Sequence, residues 1–251
     1  MSDVTIDDAG AIRTVTLNRP QRLNALNEET RSNLQAVVDE LRERGDIRVL
    51  VIAGAGPHFS AGADLKDRPL APSTTVDPRL GSKRWQRLLE DLERIPQATI
   101  ASIHGHVIGG AALLATTCDL RVAASDLAFR IPEVNLGIPL TWGGIPRLAR
   151  EIGLPRTREL VMTGRSVGAD EARTWGLVHR VVEPGELGRA TAELAAELIN
   201  QPAEALAMTV DALRALGRAV QGGELSWADG DLLRHSLHNI SRAAEPGAGA
   251  G

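Results

Sequence analysis

A carboxylate set among apolar residues is the first group in this chain equipped to move a proton. Glu133 follows Pro132 and is flanked by Phe129, Ile131, Val134 and Leu136. Apolar surroundings penalise the charged form, so its pKa is expected to be raised, which suits a carboxyl that takes and returns a proton near neutral pH. A glutamate that caps a nearby loop N–H fits the same residues. Proton removal leaves negative charge on the substrate, and two stretches could receive it. In Thr99–Asp119 (TIASIHGHVIGGAALLATTCD) a β-branched run leads through Gly105 to Gly109-Gly110 and then to an Ala/Leu segment ending at Cys118. Gly54–Lys66 (GAGPHFSAGADLK) follows another apolar run with glycines and small residues. The first N–H groups of a helix lack internal partners and sit at the positive end of its dipole, and glycine lets a ligand come close. The Gly110 N–H would then face a carbonyl that becomes an oxyanion, although close packing also accounts for a Gly-Gly pair. Two such donors meeting at one point make an oxyanion hole, usually the largest electrostatic contribution to enolate or tetrahedral chemistry.

Other reactive side chains carry less. Asp64 reads as a turn residue that satisfies N–H groups of its own loop. His104 and His106 would share a face in a strand, but no third ligand has sensible spacing, so no metal is expected. His58, between Pro57 and Phe59, reads as a loop or lid residue, and Cys118, at the end of an apolar helix, as core. There is no P-loop, and no G-x-G-x-x-G follows a strand, so nucleotide hydrolysis and dinucleotide redox chemistry find no support.

The elements that position these groups follow from pattern. Val4–Asp8 and Ala11–Leu17 alternate around Ala9-Gly10, predicting a hairpin. Asn27 caps a predicted helix whose buried stripe is Leu34, Val37, Val38 and Leu41. Val49–Ala53 reads as a strand covered on both faces, residues 67–78 as a mobile loop, and Arg79–Arg94 as a helix. Leu120–Ala123 and Ala128–Arg130 are short strands, followed by a turn-rich stretch from Leu136 to Gly144. Helical segments are predicted at Pro146–Arg150, Thr157–Thr163 and Ala169–Thr174, and a strand at Leu177–Val182. Helices over Glu186–Asn200, Ala203–Gly217 and Leu225–Ala244 complete the chain, the last with a stripe of Leu232, Leu233, Leu237 and Ile240. This places a core over residues 1–185, a helical oligomerisation region over 186–245 and a disordered tail over 246–251.

Composition excludes several classes. The chain has 251 residues, 43% of them hydrophobic, enough for a substantial core. A net charge of −4, with basic and acidic residues interleaved, gives no nucleic-acid surface. One cysteine excludes an internal disulfide and suits a reducing, cytoplasmic setting; no leader pattern and no membrane-spanning run is seen.

Five motifs in one order, covering roughly residues 3–245, then resemble the enoyl-CoA hydratase/isomerase (crotonase) superfamily. They are L-N-R-P…L-N-A-L (Leu17–Leu26), F-S-A-G-A-D-L-K (Phe59–Lys66), H-G-x-x-I-G-G-A-x-L-L-A (His104–Ala115), P-E-x-x-L-G-I-P (Pro132–Pro139) and A-x-x-W-G-L-V (Ala172–Val178). The resemblance implies an α/β fold, a crotonase-like spiral of ββα units with a helical C-terminal trimerisation region, assembled as trimers or paired trimers. It implies an acyl-CoA thioester as ligand, with no cofactor beyond the CoA of the substrate. The thioester carbonyl would be held by the N–H groups of Ala63 and Gly110. The CoA end would lie along Arg22, Ala61, Asp64, Leu65 and Lys66, and the acyl group near Leu113, Thr141 and Trp142.

Departures from the family pattern bear on the reaction. Hydratases of the family resemble one another in carrying two glutamates: one matches Glu133, and the other falls on Leu113. The aspartate position of its dienoyl-CoA isomerases and aryl-CoA dehalogenases is Thr141. One acid/base group therefore remains. Loss of a second carboxylate from hydration removes about 10²–10⁴ in rate, whereas a 1,3-proton shift needs one base and an oxyanion hole. Double-bond isomerisation is the expected activity. The rivals are hydration through Glu133 alone, decarboxylation or thioester hydrolysis at the same hole, and acyl-CoA binding without turnover.

Overall fold

The alternating N-terminal runs pair as expected: β1 (Val4–Ala9) and β2 (Ile12–Leu17) form an antiparallel hairpin about Gly10, and the buried side of β2 is Arg13, Val15 and Leu17. The structure, a computed structural model, describes residues 2–66, 77–220 and 228–244. The expected mobile loop lies outside this range except for Asp77, which caps the next helix, and Pro78, which begins it; the expected tail lies wholly outside. Helix α1 (Glu28–Leu41) starts where Asn27 Oδ1 accepts the Thr30 N–H at 2.7 Å, and it buries Leu34, Val37, Val38 and Leu41.

Strands β3 (Val49–Gly54), β4 (Ala98–Ile103), β6 (Leu120–Ala124) and β9 (Arg180–Val182) extend the sheet in parallel from β2, giving the six-stranded order β1-β2-β3-β4-β6-β9. Parallel strands need crossovers, and the chain supplies helices for them. Helix α2 (Pro78–Leu92) leads into β4, and α3 (Gly110–Thr117) leads into β6. A second, three-stranded sheet joins β5 (His106–Ile108), β7 (Ala128–Arg130) and β8 (Ser166–Gly168) in the order β5-β7-β8. Strands β5 and β8, three residues each, are not among the strands expected from the sequence.

Helix α4 (Gly144–Thr163) is two helices joined across a kink at Gly153 (φ 76°, ψ 156°), just before Pro155 and between the two predicted segments. Helix α5 (Ala169–Thr174) follows as predicted. The strand expected over Leu177–Val182 begins only at Arg180; Leu177 and Val178 are fully buried in the turn before it. A short apolar run signals burial without signalling conformation.

The main core lies between one face of the sheet and α1, α2, α3 and α4, around Trp85, Phe59, Leu50, Ile52 and Ile103. The opposite face is covered by α6 (Leu187–Ile199), whose Leu187, Ala190, Leu194 and Ala195 pack on Val49, Val51, Ile100 and Val122. The first helix of the region expected over 186–245 therefore also covers the sheet. Each fully buried Leu or Ile stabilises by about 1.5–3 kcal/mol, so a sheet covered on both faces needs this helix. Helices α7 (Ala203–Val220) and α8 (Asp229–Ala244) complete the described chain. In α8 the predicted stripe is only partly buried, with Leu237 enclosed and Leu232 half exposed at 52%. Among the described residues no helix is long and apolar enough to cross a membrane.

Candidate active site

The turn carrying Ala61–Lys66 is held by a dense polar frame. Asn24 is buried in a left-handed conformation (φ 53°), and its side-chain amide donates to Ala55 O at 2.8 Å and His58 O at 2.9 Å. Its Oδ1 accepts the Arg19 N–H at 2.8 Å. Ser60 Oγ donates to Asn24 O at 2.7 Å and accepts the Gly62 N–H at 3.1 Å. The Arg19 guanidinium donates to Ala25 O at 2.6 Å and pairs with the buried Asp64 carboxylate at 2.9 Å, which also accepts the Lys66 N–H at 3.1 Å. Buried polar groups that are this well satisfied fix a loop in one geometry.

The same loop is stitched to β5. Ser60 N–H donates to His106 O at 3.0 Å and Ile108 N–H to Ser60 O at 3.1 Å. On its other edge, Leu26 N–H reaches Gly62 O at 2.8 Å and Asp64 N–H reaches Leu26 O at 3.0 Å. This parallel bridge uses the residues flanking Ala63 and turns the N–H of Ala63 itself away from Leu26. Gly62 (φ 85°) brings the two segments into contact: a Cβ there would lie 2.4 Å from Ile108 O and 3.6 Å from Gly110 N. Gly110 opens α3, where its N–H has no partner along the helix. The turn before Ala63 and the head of α3 are thus adjacent.

Gly109 and Gly110 each leave room for a different neighbour. A Cβ on Gly109 would lie 2.7 Å from Glu133 Oε1, and one on Gly110 would lie 2.2 Å from Trp142 Cζ3. Glu133 begins a short 3₁₀ turn (Glu133–Leu136) after β7, which aims its carboxyl at the head of α3. Its Oε2 is enclosed and has no hydrogen-bond partner among the described residues. Burial pushes its pKa up to about 7 against a smaller opposing pull from its own backbone N–H. An enclosed carboxylate oxygen without a partner is an expensive feature for a fold to keep. Across from it, Trp142 stacks on Trp85 with ring centroids 4.6 Å apart and 7° between planes. Leu113, 1% exposed, closes the wall with Leu140; both press on Gly144, where a Cβ would meet them at 2.9 and 2.8 Å. Thr141 is buried beside them.

A profile of the enoyl-CoA hydratase/isomerase family matches residues 7–243. The chain belongs to that family. It is 34% identical over 218 residues to the short-chain-enoyl-CoA hydratase of Clostridium acetobutylicum, spanning 85% of this chain and 81% of that one. It is also 34% identical over 227 residues to the carnitinyl-CoA dehydratase of Escherichia coli O157:H7, spanning 90% and 85%. A crystal structure of a probable enoyl-CoA hydratase from Mycobacterium smegmatis superposes with a TM-score of 0.84 at 31% identity, covering 97% and 98% of the two chains. The fold is the crotonase spiral with a helical C-terminal region.

Within this member of the hydratase/isomerase family, the structure gathers Glu133, Gly110, the Ala61–Asp64 turn, Leu113 and Trp142 around one corner. Leu65, 43% exposed, and Lys66, also exposed, follow that turn. Arg22 is exposed next to Leu23, whose carbonyl accepts the Ala61 N–H at 2.9 Å. Asp64 faces inward to Arg19 instead of outward, so its role in the loop is internal. Arg19, Asn24, Ser60 and Trp85 were not singled out from sequence. The first two sit inside the L-N-R-P…L-N-A-L motif, and that motif was their only signal. His58 stacks on His106 at 4.0 Å and His104 Nε2 meets Gly56 O at 2.8 Å. Among the described residues no cluster of three or more His, Cys, Asp or Glu side chains could hold a metal. Cys118 is buried, its thiol pushed up to about 12, and it packs in the core.

Proposed function

We propose that this enzyme isomerises the double bond of an enoyl-CoA thioester, with Glu133 as its single acid/base and the N–H groups of Ala63 and Gly110 as oxyanion donors. The observation that carries this reading is the enclosed carboxyl of Glu133, with a pKa near 7, beside the glycine that opens α3. The carboxylate takes a proton from C2 of a 3-enoyl thioester. The electron pair moves through the dienolate, whose oxygen rests on the two N–H groups, and the same carboxyl returns the proton at C4. Leu113 supplies no ionisable group for activating water and keeps its side of the corner apolar. No cofactor is needed beyond the CoA of the substrate, with Arg22, Ala61, Leu65 and Lys66 toward the CoA end. The reading includes a cytoplasmic setting and assembly as trimers or paired trimers; exposed Met208, Leu213 and Leu216 on α7 supply apolar surface for a neighbour.

A second reading, hydration with Glu133 making both proton transfers, is favoured by the names of the relatives. Two parallel assays separate them. Isomerisation predicts rapid conversion of a 3-enoyl-CoA into the conjugated 2-enoyl-CoA and slow loss of conjugated absorbance from crotonyl-CoA. Faster hydration of crotonyl-CoA than isomerisation would overturn the first reading.

A further inference from the structure

Trp142 occupies a backbone conformation that bulky residues rarely adopt (φ 60°), and it does so at the residue whose ring covers Gly110. Such a conformation persists only where the surroundings over-determine it. Here they do. The indole is stacked on Trp85, which is 1% exposed and anchored in α2. The Trp142 carbonyl accepts from Arg147 Nη1 at 3.2 Å, and Arg147 is itself fixed by Glu93 at 3.0 Å. The next residue, Gly143, donates its N–H to Asp229 of α8 at 3.0 Å. Neighbours from α2, α4 and α8 therefore hold one side chain in place.

Its location gives that rigidity a consequence. A thioester oxygen on the Gly110 N–H, at a hydrogen-bond distance of about 2.9 Å, brings the first acyl carbons close to the Gly110 Cα. The six-membered ring of Trp142 already rests against that atom, 2.2–3.1 Å from where a Cβ would be. Leu113 and Leu140 fill the space beside it through Gly144. A growing acyl chain meets a flat, braced ring within a few carbons of the carbonyl.

We propose that the stacked Trp85–Trp142 pair is the acyl-length gauge of this site, restricting it to short acyl groups. The inference rests on the reading that the corner takes an acyl-CoA thioester. Because it concerns binding, it does not depend on whether the bound thioester is isomerised or hydrated.

The test is calorimetric titration of the full-length protein with butyryl-, hexanoyl- and octanoyl-CoA, none of which carries a double bond to isomerise or hydrate. Wild type is expected to bind butyryl-CoA at least about tenfold more tightly than octanoyl-CoA, in line with the discrimination an apolar pocket achieves through a few methylenes. W142G removes the ring at a position whose φ suits glycine, and is expected to equalise or invert that order. W142F keeps a smaller ring and should fall between the two, so the inference stays testable even if W142G folds poorly. Equal affinity of wild type for butyryl- and octanoyl-CoA, or an unchanged order in both variants, would overturn the gauge while leaving the proposed activity standing. Failure of wild type to bind any of the three would overturn both.

Discussion

The two sides of the Gly109–Gly110 corner are built by different physics. The Ala61–Asp64 side is a polar lattice in which Asn24, Ser60 and Arg19 spend their hydrogen bonds on backbone atoms and on Asp64. The Trp142 side is shape: stacked indoles, Leu113, Leu140 and a glycine that admits them. Hydrogen bonds are directional, so the first side fixes where a donor points. Apolar packing is indifferent to direction, so the second can be recut without moving the donors. On the proposed reading the contrast is a division of labour, with the chemistry set by the lattice and the choice of acyl group by the wall.

Glu133, between the two, should give the largest effect. Glu133→Gln is expected to lower kcat by about 10²–10⁴ while leaving the affinity for saturated acyl-CoA nearly unchanged. In wild type, kcat/KM should rise with pH through about 7, because the base must be ionised before it can accept a proton. Stability moves the other way. A carboxyl whose folded pKa of about 7 exceeds its unfolded value contributes stability that is full below that unfolded value and lost as pH rises through 7. Denaturant unfolding at about pH 8.5 should therefore find Glu133→Gln more stable than wild type by up to about 3 kcal/mol, with the difference vanishing near pH 4. A wild-type advantage at high pH would show that Glu133 has an ionic partner.

Breaking the lattice comes next. Gly62→Ala puts a methyl 2.4 Å from Ile108 O at a φ of 85°. A loss of about 2–4 kcal/mol is expected from the strained backbone and the overlap, with a fall in kcat of more than about tenfold as the two donors separate. Wild-type kcat in this variant would show that the donors tolerate misalignment. The smallest effect belongs to the latch of the apolar wall. Asp229→Ala strips the Gly143 N–H of its acceptor and should cost about 1 kcal/mol, a drop in Tm of roughly 2–4 °C, with kcat largely kept.

How much of this could be read in advance follows the same contrast. Helix α1 and its cap, the apolar strands and the Gly-Gly head of α3 are local, and local patterns expose them. Glu133 was conspicuous because its sequence neighbours are apolar, and its enclosed carboxyl now has a geometric cause in Gly109. The lattice was invisible as a lattice: Asn24 reaches His58 and Arg19 reaches Asp64 across 34 and 45 residues, and no periodicity marks such pairs. The Trp85–Trp142 stack is equally non-local. The expected strand start at Leu177 failed because two core residues in a turn look like the first two of a strand.

Helix α8 is the last described element of the chain, yet Asp229 secures the turn at Gly143 and Asp231 pairs with Arg79 at the head of α2. Synthesis from the N-terminus thus delivers the proposed donors and base well before the helix that holds the turn beside Trp142. A nascent or clipped polypeptide ending before residue 228 would own the reactive groups but lack the clasp, and so would treat its substrates less selectively than the finished molecule.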